Sequence, residues 1–284
     1  MNKKKLGAID ILIYIILGLL SITTLYPFIN MLAVSLSPMS EVAKSTFMFF
    51  PKKITFDAYK YVFKYTELFG AYKVTLFVTI VGTIINLALT SLGAYVLSNK
   101  QVPGRGFMSK MLVFTMLFSG GTVPLYIVVK SMNLVNTVWA MILPHAINTY
   151  WLILMRNFMM GIPTSLSEAA RIDGCNEYMI FIRIILPLSL PIIATLTLFY
   201  GVARWNDYNS ALLYITRTEL RPLQIVIRAM YEQGVDRIED NSSVPPSNTL
   251  RAAAVMLSTL PILCVYPFVQ KYFVQGIMVG AVKG

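Results

Sequence analysis

Long apolar segments recur along the chain, and they constrain its fold more than any other feature. A helix needs roughly 20 apolar residues to cross the hydrocarbon core of a bilayer. Hydrophobic residues make up 56% of the 284 residues and charged residues only 13%, so there is too little polar sequence to coat a soluble domain of this size. The sequence therefore predicts an all-α, polytopic membrane protein with six transmembrane helices, at residues 9–32, 72–98, 107–129, 137–160, 188–205 and 250–275.

The first apolar segment follows three lysines at positions 3–5, as a secretory signal would. Its apolar run is too long for a signal core, and no small-residue cleavage site follows it, so we expect a retained first transmembrane helix. Hydropathy alone leaves the orientation open, because the basic residues in the connecting segments do not favour one side clearly.

Composition and missing motifs exclude several classes of function. The net charge of +11 does not indicate nucleic-acid binding, because the basic residues are scattered and form no dense stripe. Cys175 and Cys264 are far apart and are expected to be free thiols, which together with one histidine cannot build a common zinc site. Nucleotide-binding and hydrolase motifs are missing, so we expect no catalytic residue, metal or cofactor in the chain itself.

Helix breakers interrupt four of the predicted spans. Broken helices are tolerated in a membrane where the freed backbone groups face protein or a wet cavity. One breaker alone fits ordinary kinked packing, but breakers in four helices together favour a bundle that moves or encloses a lumen. They are Gly120, Gly121 and Pro124 in the third span, Pro144 in the fourth, Pro191 and Gly201 in the fifth, and Pro261 and Pro267 in the sixth.

Two connecting segments also carry a pattern. Residues 54–68 place Phe56, Tyr59 and Phe63 on one helical face, which predicts a helix lying on the membrane surface. A short helix is predicted to begin at Pro222, and the polar stretch 232–248 is predicted to be a loop.

A specific motif lies between the fourth and fifth spans. It reads Glu-Ala-Ala-x3-Gly-x9-Ile-x-Leu-Pro from Glu168 to Pro187, and average residue usage makes a chance match on the order of 10⁻⁵ or less. Ser165 or Ser167 is predicted to cap a short helix. The small Ala side chains let a partner surface approach, and Gly174 permits the chain to turn. The segment is thus predicted to be a short, rigid helix held between two spans.

This motif resembles that of the permease subunits of ABC importers, the ATP-driven uptake systems fed by an external binding protein. The resemblance covers nearly the whole chain and implies the type I ABC importer permease fold. It also implies that the segment is a coupling helix that docks on an ATPase, with Glu168 pairing with a basic residue there. The coupling residues that the resemblance implies are Glu168, Ala169, Ala170, Asp173, Gly174, Ile184, Leu186 and Pro187.

The same resemblance implies a topology and a set of partners. Residues 161–187 and both termini then face the cytoplasm, in the cytoplasmic membrane of a bacterium. The expected divisions are a first helix with an extracytoplasmic loop (1–71), a permease core (72–275) and a cytoplasmic tail (276–284). The expected partners are a homologous second permease, two ATP-binding cassette subunits that bind ATP and Mg, an extracytoplasmic solute-binding protein and membrane lipids.

The carboxyl terminus narrows the resemblance to carbohydrate importers, specifically to the maltose-type second permease. The similarity rests on residues 267–276 and on the ending Gly-Ala-Val-Lys-Gly. In those relatives the tail reaches the seam between the ATPase subunits, which implies that Gly280, Lys283 and Gly284 contact the ATPase. The expected solute is an oligosaccharide. Three alternatives stay open: a non-sugar solute in the same architecture, an ion-coupled carrier, and a membrane enzyme or scaffold.

Two polar and aromatic groups are candidates for solute contact. Sugars are bound by flat aromatic faces together with planar hydrogen-bonding groups. The alternative for both groups is an interfacial aromatic belt, in which Trp and Tyr are enriched regardless of function. The substrate-passage candidates are Trp205, Asn206, Asp207 and Tyr208 at the end of the fifth span, and Asn148 and Trp151, accompanied by His145 and Tyr150, in the fourth.

Overall fold

Helices are the regular elements throughout the described chain. A computed structural model describes residues 7–42, 44, 48–64, 66–236 and 248–264, and it contains no strand in those ranges. The helices are α1 (Ala8–Ser35), α2 (Met39–Val42), α3 (Asp57–Lys64), α4 (Thr66–Ser98), α5 (Arg105–Leu117), α6 (Thr122–Ser131), α7 (Trp139–Ile142), α8 (Thr149–Met159), α9 (Thr164–Ile172), α10 (Glu177–Ile180), α11 (Leu186–Leu188), α12 (Leu190–Trp205), α13 (Asn209–Tyr214), α14 (Leu223–Asp236) and α15 (Asn248–Cys264). Leu143–His145 and Thr218–Leu220 are 3₁₀ turns, and Phe181–Ile185 is a π-helix. The all-α prediction is confirmed.

Two described helices are long and apolar enough to cross a membrane unbroken. Ile9–Ser35 and Glu67–Ser98 have 27 and 32 residues, and they correspond to the first two predicted spans. The most apolar part of the first is entirely exposed, whereas 39% of that part of the second is buried. The first helix therefore presents its apolar side chains all round, and the second shares its surface with protein.

The third predicted span is divided at its two glycines. The axes of α5 and α6 differ by 113°, and Phe118 after α5 is extended. Gly121 before α6 has φ +86°, a conformation that side chains other than glycine rarely adopt. The break predicted from Gly120 and Gly121 is confirmed.

The fourth predicted span, 137–160, is not one continuous helix. Helix α7 ends at Ile142, a 3₁₀ turn containing Pro144 follows, and α8 begins only at Thr149. Asn148 is extended, and its side chain accepts a hydrogen bond from the Trp151 N–H at 3.1 Å. Proline at 144 and this N-terminal cap at 148 together enforce the interruption.

The fifth predicted span begins after a sharp bend. The axes of the segments Glu177–Leu188 and Leu190–Trp205 differ by 79°, and buried Ser189 separates them. Prolines at 187 and 191 flank the bend and remove two backbone donors there. Helix α12 runs unbroken through Gly201, so the breaker predicted at Gly201 is wrong. Helix α15 likewise continues through Pro261, so the breaker predicted there is wrong. Pro267 of the sixth span lies outside the described residues.

The described residues form two compact units, and the first contains residues up to 68 together with 226–261. Within it, the Tyr59 hydroxyl hydrogen-bonds the Ser35 hydroxyl at 2.8 Å. Phe56 and Phe63 are about half exposed, at 57% and 48%. The predicted helix within 54–68 is confirmed as α3, and the helix predicted to begin at Pro222 is confirmed as α14. Helix α14 continues to Asp236, so the loop predicted over 232–248 is wrong for residues 232–236. Residues 237–247 lie outside the described part of the chain.

The second unit, which contains residues 69–225, holds both candidate sites. One buried cluster joins the motif segment to α4, α8 and α12, through side chains such as Ala94, Met155, Ile180 and Leu196. A second cluster joins α4 to α7 and α13 through Val78, Met141 and Ala211. Helix α4 is therefore common to both clusters.

Asn136 closes the loop that precedes α7. Its φ is +61°, a left-handed value that Asn tolerates better than most residues. Its side-chain oxygen accepts hydrogen bonds from the Thr216 N–H (2.7 Å), the Thr216 hydroxyl (2.8 Å) and the Arg217 N–H (3.2 Å). Its own N–H donates to the carbonyl of Tyr214 at 2.9 Å. The residue thus attaches this loop to the end of α13.

We expect Asn136→Gly to destabilise the protein by about 1–2 kcal/mol, because it keeps the left-handed backbone but removes the shared acceptor. Asn136→Asp keeps that acceptor and is expected to cost less than half as much. Thermal unfolding in detergent checks both values. Equal loss from the two variants would contradict the role given to the side-chain oxygen.

Candidate functional site

The motif segment begins with helix α9. Pro163 precedes it with φ −57° and ψ 127°, and no side chain caps the helix. The predicted cap by Ser165 or Ser167 is wrong, because the helix already begins at Thr164, and both serines lie within its first turn. The proline fixes the entry of the chain without needing a capping oxygen.

A glycine-dependent turn ends α9. Gly174 has φ +83°, and its N–H donates to the carbonyl of Arg171 at 3.0 Å. The Cys175 N–H donates to the carbonyl of Ala170 at 2.9 Å. These two bonds form a Schellman motif, in which a left-handed residue satisfies the last helix carbonyls. The predicted turn at Gly174 is confirmed.

The sequence-predicted coupling residues divide into two sets by burial. The exposed set can meet a partner, and the inward set fixes the segment to the buried cluster around α8 and α12. The exposed residues are Glu168, Ala169, Asp173, Gly174 and Pro187, and those packed inward are Ala170, Ile184 and Leu186.

An ion pair and a phenol link α9 to the end of α4. The Arg171 Nε–H donates to Glu177 Oε1 at 2.8 Å, and the Tyr95 hydroxyl donates to Glu177 Oε2 at 2.7 Å. The hydrogen bond to Glu177 raises the pKa of the Arg171 guanidinium above its ordinary value. A cavity of about 200 Å³ adjoins these groups, and Glu168 and Ser167 also line it.

A second, larger cavity of about 310 Å³ lies at the break in the fourth span. Its walls come from α4, α8, α12, α13 and the irregular residues between α7 and α8. The Trp151 ring packs edge-on against the Tyr200 ring, with centroids 4.4 Å apart. The lining is polar and aromatic for most of its extent: Asn86, His145, Ile147, Asn148, Trp151, Tyr200, Ala203, Arg204, Asp207, Asn209 and Ser210.

The cavity brings together part of each group that the sequence analysis selected. Asn148 and Trp151 of the fourth span and Asp207 after the fifth span line it, and so does His145. Trp205 is buried beside it, and its carbonyl accepts a hydrogen bond from the Gln224 side chain at 3.2 Å. Asn206, Tyr208 and Tyr150 do not line this cavity. The tail residues Gly280, Lys283 and Gly284 lie outside the described residues.

The sequence did not indicate several residues of this site, among them Asn86, Tyr200, Asn209 and above all Arg204. Its side chain is only 5% exposed. Its terminal nitrogens donate to the carbonyls of Met141 (2.5 Å), Ile142 (3.0 Å) and His145 (2.7 Å) and to the side-chain oxygen of Asn86 (3.2 Å). Asp207 Oδ2 lies 3.9 Å away. A basic residue inside the apolar stretch 188–205 was the available signal, because charges within spans are rare and functional.

Tyr200, one helical turn before Arg204, also contacts α4 and the interrupted fourth span. Its hydroxyl hydrogen-bonds the Thr90 hydroxyl of α4 at 2.7 Å, and it accepts from the Asn148 N–H at 3.1 Å. Arg204 and Tyr200 therefore each join α12 to α4 and to the interrupted fourth span. These hydrogen bonds lie around the cavity and fix the helices that form its wall.

Comparison with known proteins settles the family. Residues 6–279 match the sequence profile described as "Binding-protein-dependent transport system inner membrane component". The chain belongs to this family. Bacillus subtilis has a polygalacturonan/rhamnogalacturonan transport system permease protein, YtcP, that is 42% identical over 280 residues, covering 97% of this chain and 98% of the relative. Its protein LplC is 43% identical over 291 residues, covering 100% and 98%.

A solved structure agrees with this assignment. It is a bacterial ABC transporter involved in the import of the acidic polysaccharide alginate, and one chain of it matches with a TM-score of 0.85 and 29% identity, covering 95% of this permease and 100% of that chain. The predicted resemblance to ABC importer permeases and the type I permease fold are thereby confirmed.

Replacement of Arg204 is expected to destabilise the permease. Arg204→Met leaves backbone carbonyls in the protein interior without donors, at a cost of about 3 kcal/mol. The control Lys60→Met removes an exposed ion pair with Asp57, in which both side chains are 72% exposed, and should change stability by less than about 1 kcal/mol. Thermal unfolding of the purified permease measures both. Similar melting temperatures for the two variants would contradict the bracing role of Arg204.

Proposed function

We propose that this permease is the membrane subunit of an ATP-driven, binding-protein-dependent importer of oligosaccharides. The observation that carries the proposal is the exposed α9 surface formed by Glu168 and Ala169, held on a segment that is anchored to the buried cluster. The family assignment supports the transport function. The names of the polygalacturonan/rhamnogalacturonan and alginate transporters support a carbohydrate solute.

In this proposal, α9 docks on one of two ATPase subunits on the cytoplasmic side. The exposed Glu168 pairs with a basic group of the ATPase, and the small side chain of Ala169 allows close approach. The chain pairs with a homologous permease, and both of its termini lie in the cytoplasm. ATP and Mg bind to the ATPase subunits, and nucleotide closure displaces the motif segment. An equilibrium between two conformations of the bundle then shifts, because nucleotide binding favours one of them.

The cavity at the break of the fourth span is proposed as the contribution of this chain to the sugar passage. Trp151 offers an aromatic surface, while Asn148, Asp207 and Asn209 offer planar or charged hydrogen-bonding groups. Such a combination suits a sugar ring, which has both C–H patches and hydroxyls. The guanidinium of Arg204 donates to backbone carbonyls, so in this proposal it stabilises the cavity wall and does not bind the solute.

The coupling role predicts that reversal of one surface charge reduces transport. In the complete transporter reconstituted in vesicles, we expect Glu168→Lys to reduce ATP-dependent uptake and solute-stimulated ATP hydrolysis by at least about tenfold, because a charge-assisted contact becomes a repulsion. Glu219→Lys, a reversal at an exposed position in the turn Thr218–Leu220, is the matched control. Unimpaired uptake by the Glu168 variant would refute coupling through α9. Uptake by the permease alone, driven by an ion gradient, would favour the carrier alternative instead.

The passage role predicts a change in apparent substrate affinity. Asn148→Asp keeps the acceptor that caps α8 at the Trp151 N–H but removes the amide donors of a side chain that lines the cavity. We expect an unchanged melting temperature and an uptake KM about 5–10 times higher, the equivalent of one lost hydrogen bond. Asn133→Asp adds the same charge at an exposed left-handed position and should leave KM unchanged. An unaltered KM for Asn148→Asp would remove this cavity from the sugar passage.

A further inference from the structure

Helix α4 contacts both the coupling segment and the cavity wall. It is continuous over 33 residues, so no break separates its contacts with the cavity from its contact with the coupling segment. Asn86 and Thr90 of α4 hydrogen-bond Arg204 and Tyr200 at the cavity. Tyr95, nine residues after Asn86 and about 14 Å further along the helix, bonds the coupling segment.

The contact between α4 and the coupling segment has a specific geometry. One carboxylate, that of Glu177, accepts from Arg171 of α9 through one oxygen and from Tyr95 of α4 through the other, at 2.8 and 2.7 Å. The Tyr95 ring also packs against Phe181, with centroids 5.0 Å apart. Charge-assisted hydrogen bonds are shorter and stronger than neutral ones, so this bridge attaches α9 to α4 although the Arg171 and Glu177 side chains are 33% and 55% exposed.

The end of α4 is also attached to the neighbouring helices. The carbonyl of Leu97 accepts from the Arg105 Nε–H of α5 at 2.7 Å and from the Arg156 Nε–H of α8 at 3.3 Å. Both arginines lie where cations stabilise the negative end of a helix. These attachments make the last turn of α4 a junction of several helices, and the Tyr95–Glu177–Arg171 bridge is the polar connection from this junction to α9.

We propose that the Tyr95–Glu177–Arg171 bridge transmits the displacement of the coupling helix to α4, and through Asn86 and Thr90 to the cavity wall. Tyr95 and Glu177 are thus positioning residues for transport. This inference rests on the proposed importer function, because it requires that α9 be moved by an ATPase. It adds that the buried apolar contacts of the segment alone do not couple ATP hydrolysis efficiently to uptake.

The test uses the complete transporter with its binding protein in vesicles, and it measures the number of solute molecules taken up per ATP hydrolysed. Tyr95→Phe removes the hydroxyl but keeps the ring against Phe181, and Glu177→Gln removes the carboxylate charge with little change of shape. We expect each to lower this ratio about five- to tenfold, and the double variant to add little to either, because both break one bridge. Tyr14→Phe, on the exposed face of α1, is the control.

The reversed pair Arg171→Glu with Glu177→Arg supplies a rescue. It restores the ion pair with the two charges exchanged, and the guanidinium introduced at position 177 still has donors for the Tyr95 oxygen. The ratio should therefore recover to at least about half of the unmodified value. Melting temperature and ATPase copurification separate transmission from folding and assembly. An unchanged ratio in Tyr95→Phe and Glu177→Gln overturns the inference, and so does a loss of uptake that only matches a loss of assembled complex.

The outcomes also separate this inference from the importer function. If Glu168→Lys abolishes uptake while the bridge variants keep a normal ratio, the importer function stands and the bridge is not the transmission path. If the unmodified transporter shows no ATP-dependent uptake, the proposed function itself fails.

Discussion

The hydrogen bonds of Arg204 are the interaction on which the rest of this site depends. A helix broken inside a membrane protein leaves carbonyls without donors, and lipid cannot satisfy them. At the break after α7, one guanidinium supplies donors to the carbonyls of Met141, Ile142 and His145. Asp207 lies close enough to balance part of the charge. The same guanidinium therefore makes the interruption stable and forms one wall of the cavity that the interruption creates.

This bracing places the cavity against α4, which also receives the coupling segment. Asn86 and Thr90 of α4 hydrogen-bond Arg204 and Tyr200, while Tyr95 of α4 hydrogen-bonds Glu177. In the proposed importer, α4 thus links a movement of α9 to a change in the cavity wall. In that proposal, a partner ATPase supplies the displacement of α9.

The sequence predicted the features that follow from local rules. The apolar lengths predicted α1 and α4, Gly120 and Gly121 predicted the break of the third span, and Gly174 predicted the left-handed turn after α9. The serine cap failed because the proline before α9 can begin a helix without one. The breaker at Gly201 failed because a glycine in a packed helix weakens it without ending it.

The composition of the cavity could be predicted only in part from the sequence, because it depends on tertiary contacts. Asn148 and Asp207 are 59 residues apart, and nothing in their local pattern shows that they line one space. The role of Arg204 depends on three carbonyls of a distant broken helix, which periodicity does not locate. Trp205 has an aromatic side chain of the kind that binds sugars, yet it is buried in the packing beside the cavity.

Reactivity of a cysteine in the cavity tests the central claim that ATP binding to a partner changes this cavity. Cys175 and Cys264 are replaced by Ser, and the substitution Ala203→Cys places a single thiol in the cavity lining. The complete transporter in vesicles is then treated from the extracytoplasmic side with a membrane-impermeant thiol reagent. We expect labelling at least about tenfold faster with a non-hydrolysable ATP analogue, because nucleotide binding shifts the conformational equilibrium towards the outward-open state. Equal labelling rates with and without nucleotide would contradict the claim.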